Sequence, residues 1–248
     1  MKTTLGELET RLLAYVQLRH LPAVRLGELA KPLRLTSTQE RKLLSRLSQS
    51  GMIARVARGL YLVPPRLPLG GAWSPDEILA LNTLMSDQDA TYQICGPNAF
   101  NRYGFDEQIP TRTYAYNNRL SCDRQIGTVS LTLIKVADER LGSTEKVKTP
   151  DGMTAVYSSR VRTLMDAVYD WSRFDTLPRA YEWIKRDLTA KRVSAADLVD
   201  VAIRYGNQGT IRRIGTLLEQ ERVADSVLKK LEHAINDGGK QKGPWVRL

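Results

Sequence analysis

The chain has 248 residues, a hydrophobic fraction of 42% and a formal net charge of +10. This composition excludes a wholly disordered protein, and the length allows one large domain or two ordinary ones. No apolar run approaches the roughly 18–20 residues of a membrane span, and residues 1–9 lack the apolar stretch of a signal peptide, so the sequence predicts a cytoplasmic protein with no membrane partner.

Positive charge is concentrated at the N-terminal end of the chain. Residues 1–70 carry twelve Lys/Arg and only four Asp/Glu, an excess of +8, whereas the rest of the chain carries 25 bases against 23 acids. A small basic module joined to a nearly neutral body favours a polyanionic partner for the module, and DNA or RNA is the first candidate.

Three helices are predicted within the basic module. Leucines at helical spacing indicate a first helix over about residues 5–19 and a second, short helix over about 26–33. Thr36–Glu40 contains the spacing of a capping box, which predicts the start of a third helix, and Gly51 is suited to end it.

A β-hairpin is predicted after the third helix. The hydrophobic period changes to two over residues 52–56 and 60–63, and Gly59 in the intervening turn can adopt positive φ. Three helices followed by a hairpin is the element order of a winged helix-turn-helix, in which the third helix enters the major groove. The sequence therefore predicts double-stranded DNA as the partner of this module.

Polar and basic side chains lie off the leucine stripe of the third helix and on the hairpin. Arg, Lys and Gln can read base edges or hold phosphates, and Ser and Thr can bond phosphates. Glu40 would repel phosphate and is expected to serve the helix cap. A solvated helix face is the alternative reading. The candidate DNA contacts are Ser37, Thr38, Gln39, Arg41, Lys42, Ser45, Arg46, Arg55 and Arg58.

The second part of the chain is predicted to be a separate domain. Residues 64–71 contain three prolines and two glycines, which places a boundary between a domain at 1–66 and a domain at 72–248. β-Branched and alternating patterns predict strands at 91–95, 111–116, 129–136 and 153–157, and helices follow from residue 158 to about residue 236. The fold class is thus mixed α+β, with a larger α/β domain that ends in a helical bundle.

The residues that common catalytic or cofactor sites require are missing from the sequence. It has no Walker-type phosphate loop and no Gly-x-Ser-x-Gly elbow, and its two histidines are too far apart for zinc-ligand spacing. Asp170 with Arg173 is interpreted as an ion pair, and Cys95 and Cys122 as reduced packing residues. We expect a non-enzymatic protein without cofactor or metal.

Four segments along the chain carry a family resemblance, namely Arg58–Leu62, Ile94–Gly104, Ser159–Val168 and Ile211–Glu219. In this order they resemble the AbiEi-like antitoxins of bacterial abortive-infection (type IV toxin–antitoxin) systems. The resemblance implies a winged helix that binds inverted repeats in its own promoter as a repressor. It also implies a second domain that counters a co-encoded nucleotidyltransferase-like toxin in antiviral defence, with or without direct binding.

Two other functions stay open at this level. The winged helix could contact protein, which would make the chain an interaction adaptor, or the module could target an enzyme to DNA. The charge of the first 70 residues argues against the adaptor, and the missing carboxylate cluster argues against a metal-dependent nuclease.

Overall fold

In the computed structural model, residues 6–66 and 72–237 are described. The chain divides into two compact units. The first contains residues up to Ala90 together with Cys122–Thr132, and the second contains Thr91–Ser121 and the chain from Leu133 onward.

The first unit combines helices with a small antiparallel sheet. The sheet has the strand order β1-β3-β2, and β3 is central. In chain order the elements are α1 (Glu7–Leu18), β1 (Ala23–Arg25), α2 (Ser37–Gln49), β2 (Ala54–Ala57), β3 (Leu60–Leu62) and α3 (Glu77–Asp87).

The core of this unit lies between α1, α2 and the sheet. Leu12, Leu13 and Val16 of α1 pack with the leucines of α2 in one buried cluster, together with Val24 of β1. Each of these side chains leaves water almost completely, which stabilises the unit by about 1.5–3 kcal/mol for a leucine or valine. The apolar stripes read from the sequence therefore form the core.

The predicted second helix is wrong. Residues 26–34 form a series of turns, and the preceding residues form β1, which was not predicted. Gly27 has φ +103°, a value that ends helical geometry, and the Leu26 N–H donates to the Gly59 carbonyl of the hairpin at 2.7 Å. Leu29 and Leu33 are still buried, so their hydrophobicity was interpreted correctly although their backbone was not.

The second unit contains most of a six-stranded sheet and seven of the helices. The sheet has the strand order β6-β7-β5-β4-β9-β8, with β4 antiparallel to β5 and parallel to β9. The elements from β4 to β9 are β4 (Tyr92–Ile94), α4 (Gly96–Arg102), β5 (Thr113–Asn117), β6 (Cys122–Ile126), β7 (Val129–Lys135), a 3-10 turn (Asp138–Arg140), β8 (Thr144–Lys148) and β9 (Thr154–Ser158).

Helices then continue to the end of the described chain. Their buried faces form one cluster that includes Leu164, Trp183, Leu198 and Leu218. This is the predicted helical bundle. The helices are α5 (Arg160–Tyr169), α6 (Trp171–Phe174), α7 (Arg179–Thr189), α8 (Ala195–Tyr205), α9 (Gln208–Gln220) and α10 (Asp225–Asp237).

The predicted mixed α+β class is confirmed. The first unit extends beyond the predicted 1–66, because it also contains α3 and most of the β6–β7 hairpin, while residues 67–71 of the predicted linker lie outside the described residues. Each helix in the described part of the chain is too short or too polar to cross a bilayer.

Candidate nucleic-acid interface

Helix α2 has the start and the buried face that its sequence predicts. The Thr36 hydroxyl accepts a hydrogen bond from the Gln39 N–H at 3.2 Å, and the Gln39 side chain accepts from the Thr36 N–H at 2.8 Å, which completes the capping box. Leu43, Leu44 and Leu47 are at most 2% exposed. The helix is therefore anchored along one face, and the opposite face is presented to solvent.

All seven candidate residues of α2 lie on that exposed face. Within residues 6–66 and 72–237, neither Arg41 nor Lys42 forms an ion pair, so both cations are available to a ligand. Gln39 also belongs to the capping box, which leaves its amide nitrogen for another acceptor. The exposed residues are Ser37, Thr38, Gln39, Arg41, Lys42, Ser45 and Arg46.

Glu40 is buried beneath this face rather than exposed on it. It is 1% exposed, and its carboxylate accepts from the Gly27 N–H at 2.9 Å and the Leu29 N–H at 2.9 Å. Its expected role at the cap of its own helix is wrong, because Thr36 and Gln39 form that cap. Glu40 instead joins α2 to the turns of residues 26–34.

Replacing Glu40 with alanine should destabilise the first unit. The change leaves two N–H groups without their acceptor, and one buried unsatisfied group costs about 1–3 kcal/mol. Denaturant unfolding of Glu40→Ala should show this loss of stability. Glu28→Ala is the control, and it should lose less stability because Glu28 accepts only one exposed hydrogen bond, from the Arg25 N–H. Equal losses for the two variants would contradict the assigned role.

One acidic residue on α1 contacts the exposed face of α2. The Arg46 Nε donates to Glu9 Oε1 at 2.6 Å, and the Glu9 side chain is 11% exposed while that of Arg46 is 62% exposed. Sequence reasoning missed Glu9 as a functional residue. Glu9 follows Gly6 by three residues and accepts a hydrogen bond from the Gly6 N–H. This spacing was visible in the sequence, whereas the contact between Glu9 and Arg46 depends on the fold.

The hairpin of β2 and β3 adds two exposed arginines to this unit. Gly59 turns the hairpin with φ +76°, and Arg58 beside it is exposed. Arg55 is also exposed, and its Nε donates to the Ala57 carbonyl at 3.3 Å, next to a register shift in the β2–β3 pairing. The predicted hairpin is confirmed, and both of its arginines remain accessible.

Arg58→Ala should weaken binding to operator and random DNA alike if Arg58 holds a phosphate. Loss of one phosphate contact should flatten the dependence of log affinity on log salt by about one unit. Titrations of both duplexes at several salt concentrations measure this slope. A loss restricted to one base position, with an unchanged slope, would instead assign Arg58 to base readout.

The electrostatic character of this region follows from one buried acid. Between residues 31 and 66 the sequence has eight bases and a single acid, Glu40. Glu40 is buried on backbone N–H groups, whereas all eight bases are exposed. The exposed charged side chains of residues 31–66 are therefore all positive, which suits a polyanion.

The second unit contains a buried ionic network around α5. Arg162 is fully buried, and its Nε donates to Asp166 at 2.9 Å, while its other nitrogens donate to the carbonyls of Arg140 and Gly142. Burial raises the pKa of Asp166, and the guanidinium groups of Arg162 and Arg140 oppose that rise.

Two further side-chain roles predicted from the sequence concern an ion pair and the two cysteines. Asp170 forms the expected ion pair with Arg173 at 3.6 Å and also accepts from the Tyr116 hydroxyl at 2.5 Å. Cys95 and Cys122 are free thiols, and burial raises the pKa of Cys95 well above its usual value. These groups satisfy one another or pack, which is a structural role.

The second unit contains a cavity beside α4 and α6. Among the described residues there is no group of three or more His, Cys, Asp or Glu side chains able to hold a metal ion. A cavity of about 470 Å³ is lined by side chains that include Phe100, Tyr114, Phe174 and Arg179, but Arg179 is already paired with Asp106 at 3.4 Å. The geometry assigns no chemistry to it.

Comparisons with known proteins give a likeness of fold. No family model matches the chain, and no curated protein matches it. The crystal structure of the RV2827C protein from Mycobacterium tuberculosis is similar, with a TM-score of 0.59 and 16% sequence identity over 97% of this chain and 85% of that chain. At this identity the likeness supports the arrangement of elements along nearly the whole chain.

Proposed function

We propose that this protein is a sequence-specific DNA-binding repressor that docks α2 in the major groove and places the β2–β3 hairpin on the DNA backbone. The observation that carries the proposal is the separation of the two faces of α2. Its leucines are buried, its only acid is buried on backbone N–H groups, and its bases are exposed, as are two arginines of the hairpin in the same unit. Such a surface combines base-reading and phosphate-binding groups.

A binding titration of the full chain tests this function. Affinity for a duplex from its own promoter and for a random duplex should both fall steeply with salt, because each phosphate contact releases counterions. The promoter duplex should bind about 10³-fold or more tightly than the random one. An interaction adaptor would show neither the slope nor the preference, and equal affinities would indicate a DNA-binding protein without sequence readout.

We further propose that the second unit is the antitoxin part of a type IV toxin–antitoxin pair and acts without catalysis. The support is the order of the resembling segments along the chain. Several residues of these segments have structural roles: Arg162 and Asp166 pair in the interior, and Leu217 and Leu218 are buried. The antitoxin role therefore depends on the resemblance rather than on an exposed site.

Co-expression with the co-encoded nucleotidyltransferase-like toxin tests the antitoxin role. The full chain, expressed from a foreign promoter, should protect cells from the toxin. The Arg41→Ala/Lys42→Ala variant should also protect, because the foreign promoter removes the need for repression. Death of cells that carry the full chain would exclude the antitoxin role, and death with the variant alone would show that protection needs the DNA-binding surface.

A further inference from the structure

An acid that contacts a DNA-binding surface requires an explanation. Glu9 accepts from Arg46 at 2.6 Å and, through its other oxygen, from the Gly6 N–H at 2.7 Å, so its carboxylate is held from two sides. By charge alone Glu9 opposes a polyanion. The Gly6 contact serves the start of α1, and the Arg46 contact is the one that can act on the surface. The inference drawn from this second contact rests on the proposed DNA binding.

The contact decides which part of Arg46 faces solvent. A guanidinium group has five N–H donors, and Glu9 occupies the single one on Nε. The four N–H groups of the two Nη atoms remain, and the side chain is 62% exposed. Arg46 is thus held with its paired Nη edge available, and this edge matches the two oxygens of a phosphate.

The place of Arg46 along α2 favours a phosphate over a base. In helix-turn-helix proteins the N-terminal residues of the recognition helix reach base edges, and Arg46 lies in the last turn of α2. We infer that Glu9 is a positioning residue that orients Arg46 onto a backbone phosphate. Phosphate contacts of this kind set the register of a protein on the duplex.

The inference predicts the sign of a mutational effect. If Glu9 only repels DNA, its removal strengthens binding. If it orients Arg46, its removal adds the cost of immobilising a long side chain at the interface, and Glu9→Ala should bind a random duplex about two- to tenfold more weakly. Glu7→Ala is the matched control, because Glu7 is an exposed acid of the same first turn. This control should bind as well as the wild type or more tightly.

Two more variants separate positioning from folding. Glu9→Gln keeps an acceptor oxygen for Arg46 Nε, so it should retain wild-type affinity or exceed it. In an Arg46→Ala background, which itself should flatten the salt slope by about one unit, Glu9→Ala should cause no further loss of affinity. Thermal unfolding of each variant measures the separate contribution of the Gly6 contact to stability.

The possible results separate the role of Glu9 from the proposed DNA-binding function on which it rests. Failure of the wild-type chain to bind duplex would overturn the proposed function and the inference together. Binding by the wild type with unchanged or stronger binding by Glu9→Ala would overturn the inference alone. A full Glu9→Ala loss that persists in the Arg46→Ala background would also overturn it, because Glu9 would then act through another group.

Discussion

The Arg41→Ala/Lys42→Ala variant should lose at least about tenfold in affinity for the promoter duplex. Both side chains are exposed on α2 and neither forms an ion pair in the described part of the chain, so no acid of that part competes with DNA for them. A residue that reads a base contributes about 1–3 kcal/mol, and about 1.4 kcal/mol corresponds to tenfold. Fluorescence anisotropy with promoter and random duplexes gives the loss and the change in preference.

The matched control removes two positive charges elsewhere. Lys146 of β8 and Lys229 of α10 are both exposed, and Lys146→Ala/Lys229→Ala makes the same change in net charge. This control should bind DNA nearly as well as the wild type at physiological salt, because neither lysine belongs to α2 or the hairpin and salt screens surface charges over about 8 Å. Equal losses of affinity in the two double variants would contradict the proposed interface, because they would show that only the net charge of the protein matters for binding.

The Asp166→Ala variant should lose about 3–5 kcal/mol of stability in the second unit. Removing one partner of a buried ion pair leaves the other charge uncompensated, and here the Arg162 guanidinium is fully buried. Arg140 loses the same carboxylate, to which it donates at 3.3 Å. Hydrogen exchange of amides in α5 and α8 should show the loss locally, since exchange resolves the stability of separate parts of a chain.

Asp151→Ala is the control for this prediction. Asp151 is an exposed aspartate of the same unit, and its replacement should change stability by no more than about 0.5 kcal/mol. Pairing Asp166→Ala with Arg162→Met should cost less than the sum of the two single changes, because the fully buried Arg162 charge is then removed together with its partner. Additive costs would show that the two residues do not act as a pair.

Local patterns predicted much of the fold because local interactions decide those parts. Thr36 with Gln39 predicted the start of α2, and its leucine spacing predicted the buried face. The change of period predicted the hairpin, and Gly59 adopts the positive φ expected of its turn. Capping, periodicity and turn chemistry act within a few residues, so a sequence window contains what they need.

Residues 26–34 show where this local reasoning ends. Their leucine spacing indicated a helix, but the backbone follows partners outside the window, namely the Glu40 carboxylate and the Gly59 carbonyl. The strands β1, β6 and β8 were likewise not predicted, since short polar strands such as Thr144–Lys148 gain stability from pairing with a neighbour. Tertiary hydrogen bonds outweighed weak local preferences in each case.

By itself the sequence determined the α+β class and the concentration of positive charge toward the N-terminal end, and it predicts nine DNA contacts on α2 and the hairpin. Composition, spacing and charge are properties of the chain alone. Tertiary structure decided the roles of the acids: Glu40 is buried on backbone N–H groups, and Glu9 meets Arg46 from another helix. Whether a carboxylate repels a ligand or orients an arginine depends on its burial and its neighbours, and only the folded chain defines those.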